Sequence, residues 1–197
     1  MPSSAPTPTE VSGTLPDCIA LVGLPGSGKS SVGRALARRL SRTLVDSDSV
    51  IEARIGQPIR AFFDAHGEAR FREIESEVIA ELTLMPHVVL ATGGGAVLAE
   101  VNRRHLRDRC CVVYLRSSPE DLYRRLRNDK QRPLLQVPDP LGKLRELFER
   151  RDPLYREIAS FSVDTGGAPI NAVVNRLVMQ LELAGLPEQP PPGESST

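Results

Sequence analysis

The segment Gly23-Leu24-Pro25-Gly26-Ser27-Gly28-Lys29-Ser30 restricts its own chemistry more narrowly than any other in the chain. It has GxxxxGK[ST] spacing, follows an apolar run at Cys18–Val22 and precedes an amphipathic stretch from Ser30 to Arg39. Glycines let successive backbone N–H groups turn inward around anionic oxygens, and a following helix adds its free N–H groups and positive dipole end. Lys29 brings a mobile charge for β and γ phosphates, and the Ser30 hydroxyl can ligate Mg²⁺. Only Lys29, Lys130 and Lys143 are lysines among 25 basic residues, so a lysine inside the motif is hard to ascribe to chance. A nucleoside triphosphate site is the reading. The three lysines follow Gly28, Asp129 and Gly142, so no Asn-Lys-x-Asp guanine reader is present, and no LSGGQ-like transport segment occurs. A small-molecule kinase is the leading class.

A kinase also needs an acceptor side. Asp46-Ser47-Asp48 closes a second apolar run, where two carboxylates could divide metal assistance from holding and deprotonating a hydroxyl. The same residues suit a helix N-cap, and the two readings stand level on the residues alone. Arg72 has Glu68 and Glu75 at helix-neighbour spacing, which fits ordinary surface pairs as well as a ligand site. Thr92-Gly93-Gly94-Gly95 makes poor regular structure but allows close backbone approach to a ligand; a plain tight turn is the alternative. Further on come Arg132-Pro133-Leu134-Leu135 and Arg151-Asp152-Pro153-Leu154-Tyr155. Residues 116–156 hold eleven basic and seven acidic side chains, a local excess that suits closure over anionic ligands.

These groups need a scaffold. Strands are expected at Cys18–Val22, Thr43–Asp46, His87–Thr92, Cys110–Leu115 and Phe161–Asp164, all near-continuous apolar runs of the kind covered on both faces. Helices are expected at Ser30–Arg39, Ser49–Ile55, Ile59–His66, Gly67–Met85, Ala99–Asp108, Pro119–Asn128, Leu141–Arg151 and Pro169–Ala184. The alternation implies right-handed crossovers and a parallel sheet in a three-layer α/β domain. One domain over 17–186 is expected, with inserts at about 49–85 and 128–140. The Pro-rich ends, 1–16 and 187–197, read as disordered tails because they hold too little to bury.

Composition excludes other classes. At 197 residues with 40% hydrophobic and 25% charged residues, the chain is neither fibrous nor disordered throughout. Twenty-five basic residues balance 25 acidic ones, so nucleic-acid and membrane partners are not expected. Cys18, Cys110 and Cys111 lie in apolar runs without metal-ligand spacing, which suits buried reduced thiols. No basic residue precedes Lys29, so no secretory or transit leader is expected. A cytoplasmic monomer acting on small molecules is the expectation.

Taken together, the P-loop Gly23–Ser30, Asp46-Ser47-Asp48, Phe71-Arg72-Glu73-Ile74-Glu75, Gly93-Gly94-Gly95, Arg132-Pro133-Leu134-Leu135 and Arg151-x-Pro-x-Tyr155 resemble the shikimate kinase family in order and spacing. The P-loop is shared by many families, whereas the ordered set is specific. The resemblance spans about 18–170 and implies a five-stranded parallel sheet in the order 2-3-1-4-5, a shikimate-binding insert and a lid. It implies ATP as donor, shikimate as acceptor and Mg²⁺ as the metal, held by Ser30 and, through water, Asp46. Gly26, Ser27, Gly28, Lys29, Ser30 and Ser31 would bind the phosphates, with Arg125 and Pro169 flanking adenine. Asp48 would hold the acceptor hydroxyls as the base. Arg72 and Arg151 would take the carboxylate, with Gly93, Gly94 and Gly95 along the ring and Phe63 and Phe71 at the apolar wall. Lys29, Asp48 and Arg132, the last reaching from the lid, would be the catalytic groups. A gluconate or nucleoside kinase is the nearest enzymatic alternative. A non-catalytic nucleotide-binding module is the other, and intact Lys29, Ser30, Asp46 and Asp48 argue against it.

Overall fold

The computed structural model describes residues 15–127 and 137–185. Five strands, β1 (Cys18–Val22), β2 (Thr43–Asp46), β3 (Val88–Ala91), β4 (Cys110–Arg116) and β5 (Phe161–Asp164), form one parallel sheet in the order β2-β3-β1-β4-β5. This is the order that the resemblance implied. The continuous apolar runs have the expected cause, since both faces of the sheet are covered. In β1, Cys18, Ala20 and Val22 face one core while Ile19 and Leu21 face the other. Helices α1 (Lys29–Arg39) and α7 (Ile170–Leu183) cover the second face. The first face is covered by α2 (Ser47–Ile55), α3 (Ile59–Leu82), α4 (Glu100–Arg109), α5 (Pro119–Leu126) and α6 (Pro140–Ile158). Cys18, Cys110 and Cys111 are buried and free, as the apolar runs implied.

Two helices differ from expectation. The stretches expected at Ile59–His66 and Gly67–Met85 form α3, interrupted at Gly67 by non-helical φ 79° and ψ 170°. The helix expected to stop at Arg151 instead runs through Pro153 to Ile158. An internal proline costs a helix about 3 kcal/mol. Beyond it, Tyr155 and Ile158 are buried, and large side chains return about 1.5–3 kcal/mol each on full burial. Tertiary packing therefore outweighs the local breaker. Arg151 and Tyr155 consequently lie on one helix face instead of on a loop.

The N-terminal boundary also shifts. Leu15, placed in the tail by composition, packs against the α1–α7 core cluster. Residues 1–14 and 186–197, and residues 128–136 of the expected lid with Arg132 among them, lie outside the described residues. Asp139, near the end of that segment, caps α6 by accepting the Gly142 N–H at 2.8 Å.

Candidate active site

The site is built at the carboxyl ends of the strands, where each strand hands over to a loop or helix. After β1 the chain turns through Gly26 and Gly28, with φ of 84° and 97°, a region open to glycine and strained for other residues. Gly28 caps α1, so that helix begins at Lys29 with its N-terminal N–H groups facing the cleft. Lys29 is almost fully buried and donates to the Gly23 and Leu24 carbonyls at 2.8 and 2.9 Å. Its ammonium is thus held over the loop that would carry the phosphates. The Ser27 N–H is committed to the Leu24 carbonyl at 3.1 Å.

A cleft of about 430 Å³ opens over this loop, lined by Gly26, Gly28, Lys29, Ser30 and Ser31 on one side and by Asp46, Asp48 and Gly94 on the other. Asp46 is a helix cap whose second oxygen stays turned to the P-loop. One carboxylate oxygen caps α2, accepting the Asp48 and Ser49 N–H groups at 3.0 and 3.3 Å, and the other accepts from the Ser30 hydroxyl at 3.2 Å. Ser30 and Asp46 together present hard oxygen donors beside the loop, which fits Mg²⁺. Among the described residues no cluster of three His, Cys, Asp or Glu side chains could hold a metal alone. A cation here would complete its shell with phosphate and water.

Asp48 lies in the first turn of α2, which starts at Ser47 instead of the expected Ser49. Its carboxyl is raised above the usual range by burial, and by the Asp46 carboxylate next, against the opposing pull of Lys29. A proton acceptor shifted in that direction is better matched to a hydroxyl than an ordinary carboxylate.

Three consecutive glycines bring the acceptor groups together through space. A methyl group at Gly93 would sit 2.6 Å from Asp48 Oδ1 and 3.3 Å from Glu75 Oε1. At Gly95 it would sit 2.6 Å from both Arg72 terminal nitrogens, and at Gly94 it would meet Pro25 of the P-loop at 2.8 Å. Arg151 donates to the Gly94 carbonyl at 3.0 Å. Its Nε is buried without a hydrogen-bond partner among the described residues, a donor suited to a ligand carboxylate. Asp48, Arg72 and Arg151 therefore converge on the glycine loop.

Sequence reasoning undervalued Glu75. Its spacing to Arg72 fits a surface pair as well as a ligand site, yet it is 1% exposed and bonds Arg72 Nη1 at 2.6 Å, while Glu68 takes the outer side of the same guanidinium. Burial raises its carboxyl despite that partner. The signal was available: Phe71, Ile74, Glu75 and Val78 share one helical face, so Glu75 falls on the apolar stripe. Phe71 is core, and it carries the Arg72 guanidinium 5.3 Å from its ring centroid. Phe63 packs against it with centroids 4.5 Å apart.

A second groove of about 350 Å³ continues from the P-loop toward α7, lined by Ser27, Gly28, Ser31, Arg125, Ala168 and Ile170 among others. Arg125 spans it, donating to the Gly26 carbonyl at 3.1 Å and the Thr165 carbonyl at 2.9 Å. Pro169 caps α7 between the lining residues Ala168 and Ile170. The groove's lining sets Val32, Ala168, Ile170 and Val173 beside Ser31 and Arg125, the mix of apolar and polar groups that suits a nucleobase.

A family model described as shikimate kinase matches residues 25–182. A shikimate kinase of Paracidovorax citrulli is 58% identical over 171 residues, 85% of this chain and 93% of its own. The structure of shikimate kinase from Acinetobacter baumannii in complex with shikimate superposes with a TM-score of 0.82 at 43% identity, covering 88% of this chain and 97% of that one. A gluconokinase from Sinorhizobium meliloti has a TM-score of 0.60 at 21% identity over 88% of this chain and 95% of its own, a likeness of fold alone.

Proposed function

The chain belongs to the shikimate kinase family, and on that premise we propose that it transfers the γ-phosphoryl group of ATP to the 3-hydroxyl of shikimate. The products are ADP and shikimate 3-phosphate, on the route to chorismate and the aromatic amino acids. The observation that carries the reading is a cleft lined by the P-loop Lys29, Asp48 and Gly94, with Arg151 bonded to that glycine and Arg72 against its neighbour Gly95. A neutral polyol acceptor gives no reason for Arg72 and Arg151 beside the same loop. A carboxylate does, because the planar guanidinium fork matches its two oxygens.

In this mechanism Arg72 and Arg151 orient the acceptor by its carboxylate, and Asp48 holds the hydroxyl and takes its proton as the oxygen attacks phosphorus. The bond from the γ-phosphorus to the β–γ bridging oxygen breaks in line, and the electron pair leaves on ADP. Lys29 neutralises charge on the transferring group. Arg132 takes the same task from the lid, on the strength of its motif. Ser30 and Asp46 would hold Mg²⁺, which when bound supplies charge neutralisation on the phosphate oxygens. Arg125 and the loop before α7 would enclose adenine. A monomer in the cytoplasm completes the proposal. Among the described residues no helix is long and apolar enough to cross a membrane.

Coupled ADP release with shikimate, quinate and gluconate tests the assignment. Shikimate should turn over far faster than the other two, and EDTA should abolish the rate until Mg²⁺ is restored. Gluconate turning over faster than shikimate would overturn it.

A further inference from the structure

We propose that Tyr155 is a positioning residue for the acceptor, fixing the Gly94 carbonyl and, through it, the glycine loop and the Arg151 guanidinium. The inference rests on the reading above of Arg151 and the glycines as acceptor-side groups. Arg151 and Tyr155 are one helical turn apart on α6 and converge on a single oxygen. The Tyr155 hydroxyl donates to the Gly94 carbonyl at 2.6 Å, and Arg151 Nη1 donates to it at 3.0 Å. A carbonyl has two lone pairs, so both bonds are satisfied together.

The hydroxyl is a fixed point. Tyr155 is fully buried, and its ring stacks on Tyr114 with centroids 5.0 Å apart. The Tyr114 hydroxyl is used elsewhere, donating to Asp152 of α6 at 2.8 Å and not to Gly94. Glycine has no side chain with which to hold its place, so the loop depends on backbone anchors. One is Ser47 beside Asp48, whose hydroxyl accepts the Gly93 N–H at 2.9 Å. At the Gly94 carbonyl the anchors are Tyr155 and Arg151. In a trans peptide the C=O and the next N–H point in opposite directions. Holding the Gly94 oxygen against α6 therefore turns the Gly95 N–H away from α6. The same anchor shares the orientation of Arg151: one guanidinium nitrogen is spent on Gly94, leaving the buried, unpartnered Nε for the ligand. Without the hydroxyl, Arg151 alone would hold the Gly94 carbonyl, and the two would shift together.

Tyr155→Phe keeps the buried ring and removes only the donor. The full chain should then show shikimate KM and calorimetric Kd raised about 3–10-fold, the worth of one net hydrogen bond. Turnover number and the KM for ATP should stay within about twofold. Tyr114→Phe is the matched variant: it removes a buried hydroxyl of the same stacked pair without touching Gly94. It should lower the melting temperature comparably and leave shikimate KM unchanged. An unchanged shikimate KM in Tyr155→Phe, an equal rise in Tyr114→Phe, or an equal rise in the KM for ATP overturns the positioning role. Wild-type protein that binds no shikimate in the calorimeter removes the underlying reading instead.

Discussion

Gly94→Ala is the substitution whose effect follows most directly from the packing. The new methyl would lie 2.8 Å from Pro25 Cδ, 3.0 Å from Cγ and 3.2 Å from the Pro25 backbone nitrogen. Ordinary contact begins at 3.4 Å, so about 0.6 Å must be found somewhere. Pro25 is a rigid ring within the P-loop and cannot rotate aside. The glycine cannot retreat freely either, because its carbonyl is held by Tyr155 and Arg151. Relief means distorting the phosphate loop or stretching bonds worth about 1 kcal/mol each. Overpacking of this kind costs about 1–3 kcal/mol, which for a domain of this size is a fall of roughly 2–12 °C in melting temperature. Both substrates should suffer, since one side of the clash carries phosphate and the other the acceptor. A misplacement approaching 1 Å can cost about a hundredfold in rate. Thermal denaturation and coupled ADP release on purified protein measure the two effects. Gly95→Ala provides the contrast, because its methyl meets only the flexible tip of Arg72. There the KM for shikimate should rise with little loss of stability. Gly94→Ala with wild-type melting and both KM values unchanged would refute the packing argument.

Asp48→Asn should lower turnover by about 10²–10⁴-fold, the usual share of a general base, while weakening shikimate binding and sparing ATP binding. The same variant should melt higher than wild type at pH 7. Because burial and Asp46 raise the Asp48 carboxyl, the folded state holds the proton more tightly than the unfolded chain. Stability is therefore lost as pH rises through the window from the ordinary carboxylate value to the raised one. The gain should fade below that window, and pH-dependent melting curves that run parallel throughout would refute it. The acid limb of the wild-type rate profile should also disappear in Asp48→Asn. Lys29→Ala should reduce turnover by about 10²–10³-fold or more, as for other charge-stabilising donors, with an unchanged circular dichroism spectrum. Near-normal activity would remove the P-loop from the chemistry.

Much of this protein was legible before any coordinates. Motif chemistry is local, so Gly26, Gly28, Lys29 and Ser30 announced a phosphate cradle from their spacing between an apolar run and an amphipathic one. The continuous apolar strands implied a doubly covered parallel sheet for the same reason: each residue type reports its own environment. What the sequence left open was every question about groups distant along the chain. Asp46 could be a helix cap or a metal-side carboxylate, and the tertiary structure makes it the cap of α2 while its other oxygen meets Ser30 at 3.2 Å, because β2 ends beside α1. Glu75 looked like a surface partner until the packing of Phe71, Ile74 and Val78 buried its face of α3. The helix expected over Leu141–Arg151 ends before Pro153, whose local cost to a helix is fixed by covalent structure. Burial of Tyr155 and Ile158 overrode that cost and carried the Tyr155 hydroxyl to Gly94, 61 residues away. Local energies of a few kcal/mol can be read from neighbours in sequence, but a comparable energy gained by burial depends on which distant surface arrives to cover the side chain, and only the folded chain decides that.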